Sequence, residues 1–108
     1  MITINIKRNN KNEIIKFSLE GHAGYARSGS DIVCSAVSAI TNMIIMGFER
    51  LQIMPEFEKD DSGYLSFELP SVLSKEQNDK IQFLLECMNE EFMDIQKNYS
   101  KYVKIKEI

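Results

Sequence analysis

Residues 32–48 carry no charged side chain, and this stretch constrains the fold more than any other part of the chain. Small and polar residues interrupt it, so we interpret it as too short and too polar for a membrane span. Ser30 and Asp31, just before it, are good helix N-caps, and we expect a buried helix over residues 32–51. Its apolar residues lie on more than one side. We therefore expect the sheet to cover one side of this helix, and the second helix or a second copy of the chain to cover another.

Alternating apolar and polar residues predict strands on both sides of this helix. Ser74 and Gln77 form a capping-box pattern, after which apolar residues at helical spacing predict a second, amphipathic helix. The predicted strands cover residues 2–7, 14–20, 53–58, 64–69 and 102–108. The order is ββαββαβ, an α+β fold with two helices packed on a mainly antiparallel sheet, and we expect residues 1–108 to form a single domain.

Composition and charge narrow the functional classes. Hydrophobic residues make up 44% and charged residues 27% of the chain, as is typical of soluble globular proteins. The net charge of −3 and the pI of about 5.2 disfavour direct nucleic-acid binding. The first residues lack the basic-then-apolar layout of a secretory signal, so we expect a cytoplasmic protein with no membrane association. Cys34 and Cys87 would then both be free thiols.

His22, the single histidine, and Cys34 are the strongest candidates for a reactive pair. His22 follows a predicted strand, Cys34 falls in the first turn of the predicted helix, and a loop rich in glycine and serine joins them. Such a loop lets a thiol and its base meet from two different elements. The amides and dipole of a helix start favour the thiolate, and the same amides can hold the oxyanion of a tetrahedral intermediate.

The ordinary alternative is that these residues have no chemical role. Cysteine on an apolar helix is usually a small core residue, and a histidine at a strand end is usually a surface or capping group. Asp31 has the helix N-cap as its ordinary role, and orientation of His22 or anchoring of the loop as its functional one. Ser38, one turn after Cys34, can bond to the site or back to its own helix.

The remaining residues give weaker signals. One histidine and two distant cysteines do not make a ligand set, so we expect no metal and no cofactor. Cys87 is interpreted as a partly buried helix residue, and the six methionines as core filler. An anion cradle at the helix start matches no phosphate-loop motif. It would consist of Gly24, Arg27, Gly29 and Ser30.

Two short motifs flank the loop, and they are Gly21-His22-Ala23 and Gly29-Ser30-Asp31-Ile32-Val33-Cys34-Ser35-Ala36-Val37-Ser38. They resemble the ribosomal-processing cysteine proteases called Prp, a bacterial family. The resemblance is specific over residues 20–39, and the length and element order are similar over nearly the whole chain.

The resemblance implies a cysteine endopeptidase with Cys34 as nucleophile and His22 as general base. Its substrate would be the short N-terminal extension of a large-subunit ribosomal protein, cut after an apolar, phenylalanine-containing segment. Asp31 and Ser38 match motif positions and are expected to support the site. The resemblance also implies a lid over the substrate, formed by residues 23–30 and including Ala23, Gly24, Gly29 and Ser30.

Members of the Prp family are similar in being homodimers, which agrees with the expected apolar helix. The alternative function is a non-catalytic ribosome-associated binding module that holds a ribosomal protein or ribosomal RNA. The acidic pI weighs against direct contact with RNA.

Overall fold

The computed structural model describes residues 1–27 and 30–108. The helices are α1 (Ile32–Arg50) and α2 (Lys75–Asn98), and the strands are β1 (Ile2–Arg8), β2 (Ile14–Glu20), β3 (Glu56–Lys59), β4 (Leu65–Glu68) and β5 (Val103–Glu107). The predicted ββαββαβ order and α+β class are confirmed. The strand predicted from residue 53 begins only at Glu56, directly after Pro55, which has no backbone N–H to donate to a sheet.

The strands form one sheet in the order β3-β4-β2-β1-β5. All neighbouring pairs are antiparallel except β1 and β5, which run parallel, so the prediction of a mainly antiparallel sheet is confirmed. The pairing of β2 with β4 places Leu19 opposite Leu65. As a consequence, the residues that follow β2 lie beside the turn that joins β3 to β4.

Helix α1 begins after its N-cap Asp31 and ends at Arg50, one residue before the predicted end, with Leu51 as its C-cap. Among the described helices it is the one long and apolar enough to cross a membrane, a test that the core helix of a soluble protein also passes. One stripe of α1, which includes Val33, Ile44 and Phe48, is buried in the same core cluster as β1 and α2. This packing fixes the start of α1 relative to the sheet.

The interpretation of the methionines as core filler is wrong for five of the six. Met88 is fully buried, but the others are exposed, and they are Met1, Met43, Met46, Met54 and Met93. Cys87 is exposed rather than partly buried, because it lies outside the stripe of α2, including Leu85 and Met88, that is buried in the core. Met43 and Met46 lie on α1, so part of that helix is an uncovered apolar face in the single chain.

Candidate active site

Cys34 is the third residue of α1, as predicted, and its side chain is half-buried. The backbone N–H of Ala23 donates a hydrogen bond to the Cys34 Sγ, with 3.4 Å between nitrogen and sulfur. This bond joins the residue after His22 to the candidate nucleophile. An amide directed at sulfur stabilises the thiolate more than the neutral thiol, because a donor interacts more strongly with a charged acceptor.

Asp31 is buried and holds four backbone amides. Its Oδ1 accepts from the N–H groups of Val33 and Cys34 at 3.0 Å each, and its Oδ2 accepts from Tyr25 at 3.0 Å and from Ala26 at 3.3 Å. The bond from the Cys34 amide and the other three amides lower the pKa of Asp31, although burial acts in the opposite direction. Asp31 therefore caps α1 and anchors the preceding loop in one carboxylate.

The role of Asp31 changes one expectation. The amides of the helix start were predicted to be able to hold an oxyanion, and two of them, those of Val33 and Cys34, donate to the Asp31 carboxylate. These two amides are therefore not free to hold an oxyanion in this conformation. Of Asp31's two predicted functional roles, the structure shows the anchoring of the loop, since both carboxylate oxygens accept from backbone amides.

His22 lies just beyond β2 with its side chain exposed to solvent. The amino group of Met1 donates to the His22 carbonyl oxygen at 2.6 Å, which ties this segment to the start of β1. Gly21 precedes it with a φ of +89°, a conformation that glycine adopts without strain. The backbone around His22 is therefore held by its neighbours in the sheet, while the imidazole remains accessible.

His22 and Cys34 line the same cavity, which has a volume of about 350 Å³. Ser38 lines it too, one turn after Cys34, so the structure brings three of the predicted site residues together. An accessible imidazole and a half-buried thiol that line one cavity are the groups required for acyl transfer through a thioester. The cavity is large enough for a side chain of a peptide beside these groups.

Sequence reasoning missed part of the lining of the cavity. Phe57, Lys59, Gly63 and Leu65, from β3, β4 and their turn, line it together with Ile45 of α1. The turn composition of residues 59–63 was recognised, but nothing local in the sequence indicates that this hairpin lies beside His22. That proximity follows from the pairing of β2 with β4.

The loop predicted as a lid is anchored at its start. Ala23 is buried, and the Tyr25 ring packs edge-to-face on Tyr99 and Tyr102, with centroid distances of 5.7 and 5.1 Å. Gly24 has a φ of +70°, and the Ser30 N–H donates to the Arg27 carbonyl at 2.9 Å. Gly29 lies outside the described residues. Within the described part of the chain, no group of three or more His, Cys, Asp or Glu residues is arranged to hold a metal ion.

Comparisons with known proteins place this chain in a family. A family model described as cysteine protease Prp matches residues 1–104. The ribosomal processing cysteine protease Prp of Bacillus subtilis (strain 168) is 34% identical over 111 residues, covering 97% of this chain and 96% of the relative. The protein of the same name from Staphylococcus aureus (strain Mu50) is 31% identical over 110 residues, covering 97% of both chains.

Solved structures share the fold over the whole chain. The crystal structure of an essential ribosomal processing protease Prp from S. aureus, in complex with a covalently linked product peptide, has a TM-score of 0.88 at 24% identity and covers 100% of both chains. SMU.848 from Streptococcus mutans has a TM-score of 0.80 at 27% identity, covering 100% of this chain and 94% of that one. The sequence matches and the fold thus agree, and this chain belongs to the Prp family of cysteine proteases.

Proposed function

We propose that this protein is an endopeptidase in which Cys34 is the nucleophile and His22 the general base. The observation that carries the proposal is that His22 and Cys34 line one cavity, although they come from two different elements. Both backbones are held in place, that of His22 by Met1 and that of Cys34 by the Asp31 cap. His22 is also the single histidine of the chain, so no other imidazole is available.

In the proposed mechanism, His22 takes the proton of the Cys34 thiol, and the sulfur attacks the carbonyl carbon of the scissile peptide bond. A C–S bond forms, the C–N bond breaks, and the imidazolium returns its proton to the leaving amine. Water, deprotonated by the same imidazole, then attacks the thioester carbonyl carbon. A C–O bond forms, the C–S bond breaks, and the imidazolium returns its proton to the departing sulfur. The Ala23 amide, 3.4 Å from the sulfur, stabilises negative charge there before attack.

We further propose that the substrate is the N-terminal extension of a large-subunit ribosomal protein. Relatives of this chain are named for ribosomal processing, and a related structure contains a substrate peptide. Val37, Ile45, Phe57 and Leu65 form an apolar wall along the cavity. Such a wall suits an apolar side chain beside the scissile bond, because burying it removes apolar surface from water. The described residues of the loop, among them Gly24 and Ser30, would cover the bound peptide.

Residues 1–108 are proposed to act as one cytoplasmic catalytic domain that forms a homodimer. Met43 and Met46 are exposed on an uncharged face of α1, which supports a second copy of the chain as the partner that covers this face. Sedimentation equilibrium of the purified protein checks this, because a monomer at all concentrations would contradict it.

The test of the reaction uses the two cysteines as a matched pair. The wild-type protein is incubated with a ribosomal protein that carries its N-terminal extension, and new N-termini are identified by mass spectrometry. We expect Cys34→Ala to abolish cleavage and Cys87→Ala, on the exposed side of α2, to retain it. If Cys34→Ala still cleaves the protein, the nucleophile assignment is wrong. If the wild type binds the extension without cutting it, the chain is the non-catalytic binding module.

A further inference from the structure

The turn between β3 and β4 lies against the imidazole of His22. A Cβ atom built on Gly63 would be 3.0 Å from His22 Nε2, 3.1 Å from His22 Cε1 and 3.1 Å from the Gly21 carbonyl oxygen. These distances are tighter than about nine in ten real Cβ contacts. The bare Cα of Gly63 therefore forms a wall against one edge of the ring, and a Cβ at this position would require the ring or the turn to shift by a few tenths of an ångström.

The turn that carries Gly63 is held by a single carboxylate. Asp60 Oδ1 accepts from the Ser62 N–H at 2.8 Å, from the Ser62 hydroxyl at 2.6 Å and from the Tyr64 N–H at 3.1 Å. The Asp60 N–H donates to the Tyr64 carbonyl at 3.1 Å and closes the turn. Because these bonds bracket Gly63 on both sides, the wall cannot move without breaking several of them.

The backbone of His22 is constrained from the other direction. The Met1 amino group holds the His22 carbonyl, and the Ala23 amide is bonded to the Cys34 sulfur. The main chain on either side of the ring is therefore attached to β1 and to α1. The remaining freedom of the imidazole is rotation of its side chain, and the Gly63 wall limits that rotation.

We propose that Gly63 is a positioning residue for the reaction, and that the turn of residues 60–64 keeps the His22 imidazole in the cavity that it shares with Cys34. This inference rests on the proposed role of His22 as base. Gly63 has a φ of +91°, so glycine is required here for the conformation as well as for the space. The turn contributes no reacting atom and acts only through the orientation of the ring.

The experiment compares Gly63→Ala with Asn12→Ala in peptide cleavage. Asn12 has a φ of +64° in the turn between β1 and β2, at the opposite end of the sheet from His22, so it reproduces the backbone strain without touching the site. Displacing a catalytic group by about 1 Å can cost on the order of 100-fold in rate. The contact at Gly63 needs a smaller shift, of a few tenths of an ångström, so we expect Gly63→Ala to lower kcat by about tenfold. Its KM and its circular dichroism spectrum should change little, and Asn12→Ala should retain the wild-type kcat.

A less disruptive substitution keeps the inference testable if Gly63→Ala does not fold. Ser62→Ala removes only the hydroxyl bond to Asp60, and we expect a smaller drop in kcat and a changed pH profile of kcat/KM, which a loss of stability alone would not produce. A folded Gly63→Ala protein with a kcat within about twofold of wild type would overturn the inference, since the expected loss is about tenfold. That outcome leaves the proposed function intact, because His22→Ala tests the base separately.

Discussion

Replacing Gly21 with alanine tests whether close packing, and not only backbone conformation, fixes the segment that carries His22. Gly21 has a φ of +89°, and a Cβ there would press against the Met1 carbonyl oxygen, inside van der Waals contact. Gly24 has a φ of +70° with no atom within 4 Å of its Cβ position. The two glycines thus share the strained backbone conformation and differ in the space around them.

The expected magnitudes follow from these two contributions. Alanine in the left-handed region costs roughly 1–2 kcal/mol, of which roughly 0.4–1 kcal/mol is offset by the lower entropy of the unfolded chain. Gly24→Ala should therefore lose about 1 kcal/mol of unfolding free energy. Gly21→Ala adds an overpacking cost of roughly 1–3 kcal/mol, because the opposing atom belongs to the backbone and cannot rotate away. Its total loss is then about 2–4 kcal/mol.

Urea denaturation followed by far-ultraviolet circular dichroism measures both variants, and the midpoint shift at a constant m-value gives the difference in stability. Thermal unfolding gives a second reading, since 1 kcal/mol corresponds to roughly 4–8 °C in a domain of this size. Equal destabilisation of the two variants would show that the contact of the added Cβ with the Met1 carbonyl oxygen costs nothing, and this result would refute the reasoning.

Two further predictions concern the loop before α1. Asp31→Asn should lower the free energy of unfolding at neutral pH, and this free energy should fall less in acid than it does for the wild type. The lowered pKa of Asp31 stabilises the fold above the ordinary aspartate range, and this contribution disappears as pH falls through the lowered pKa. Urea midpoints from about pH 6 to 2 check this, and parallel curves for variant and wild type would contradict it. Tyr25→Ala should remove two edge-to-face contacts, with Tyr99 and Tyr102, and destabilise the protein by about 1–3 kcal/mol. Hydrogen exchange at the Ala26 amide should then become faster, and unchanged protection would show that the Tyr25 ring contacts do not hold the loop in place.

The position of Asp31 has a consequence for the chemistry. Two amides of the first turn of α1 are used by its carboxylate, so they do not serve the sulfur directly. The described donor to Cys34 comes instead from Ala23, on the His22 side of the loop. The amide that donates to the Cys34 sulfur and the imidazole of His22 therefore lie on the same short segment after β2.

The local pattern of the sequence was sufficient to predict the element order and the start of each helix. Alternating residues such as Ile2, Ile4 and Ile6 predict a strand, and the Ser74 capping box and the Asp31 cap are formed as expected. These features depend on residues within a few positions of one another, so they can be recognised without knowing the fold. Cys34 and His22 could also be recognised as candidate site residues, because their spacing and the flanking motifs are local.

The tertiary structure decided what surrounds those two residues. Gly63 lies beside His22 only because β4 pairs with β2, a contact between segments more than 40 residues apart in sequence. The exposure of Met46 and Cys87 was likewise misjudged, since composition does not say which side of a helix the rest of the chain covers. Strand pairing and helix packing are cooperative over the whole chain, and a local window of sequence does not contain them.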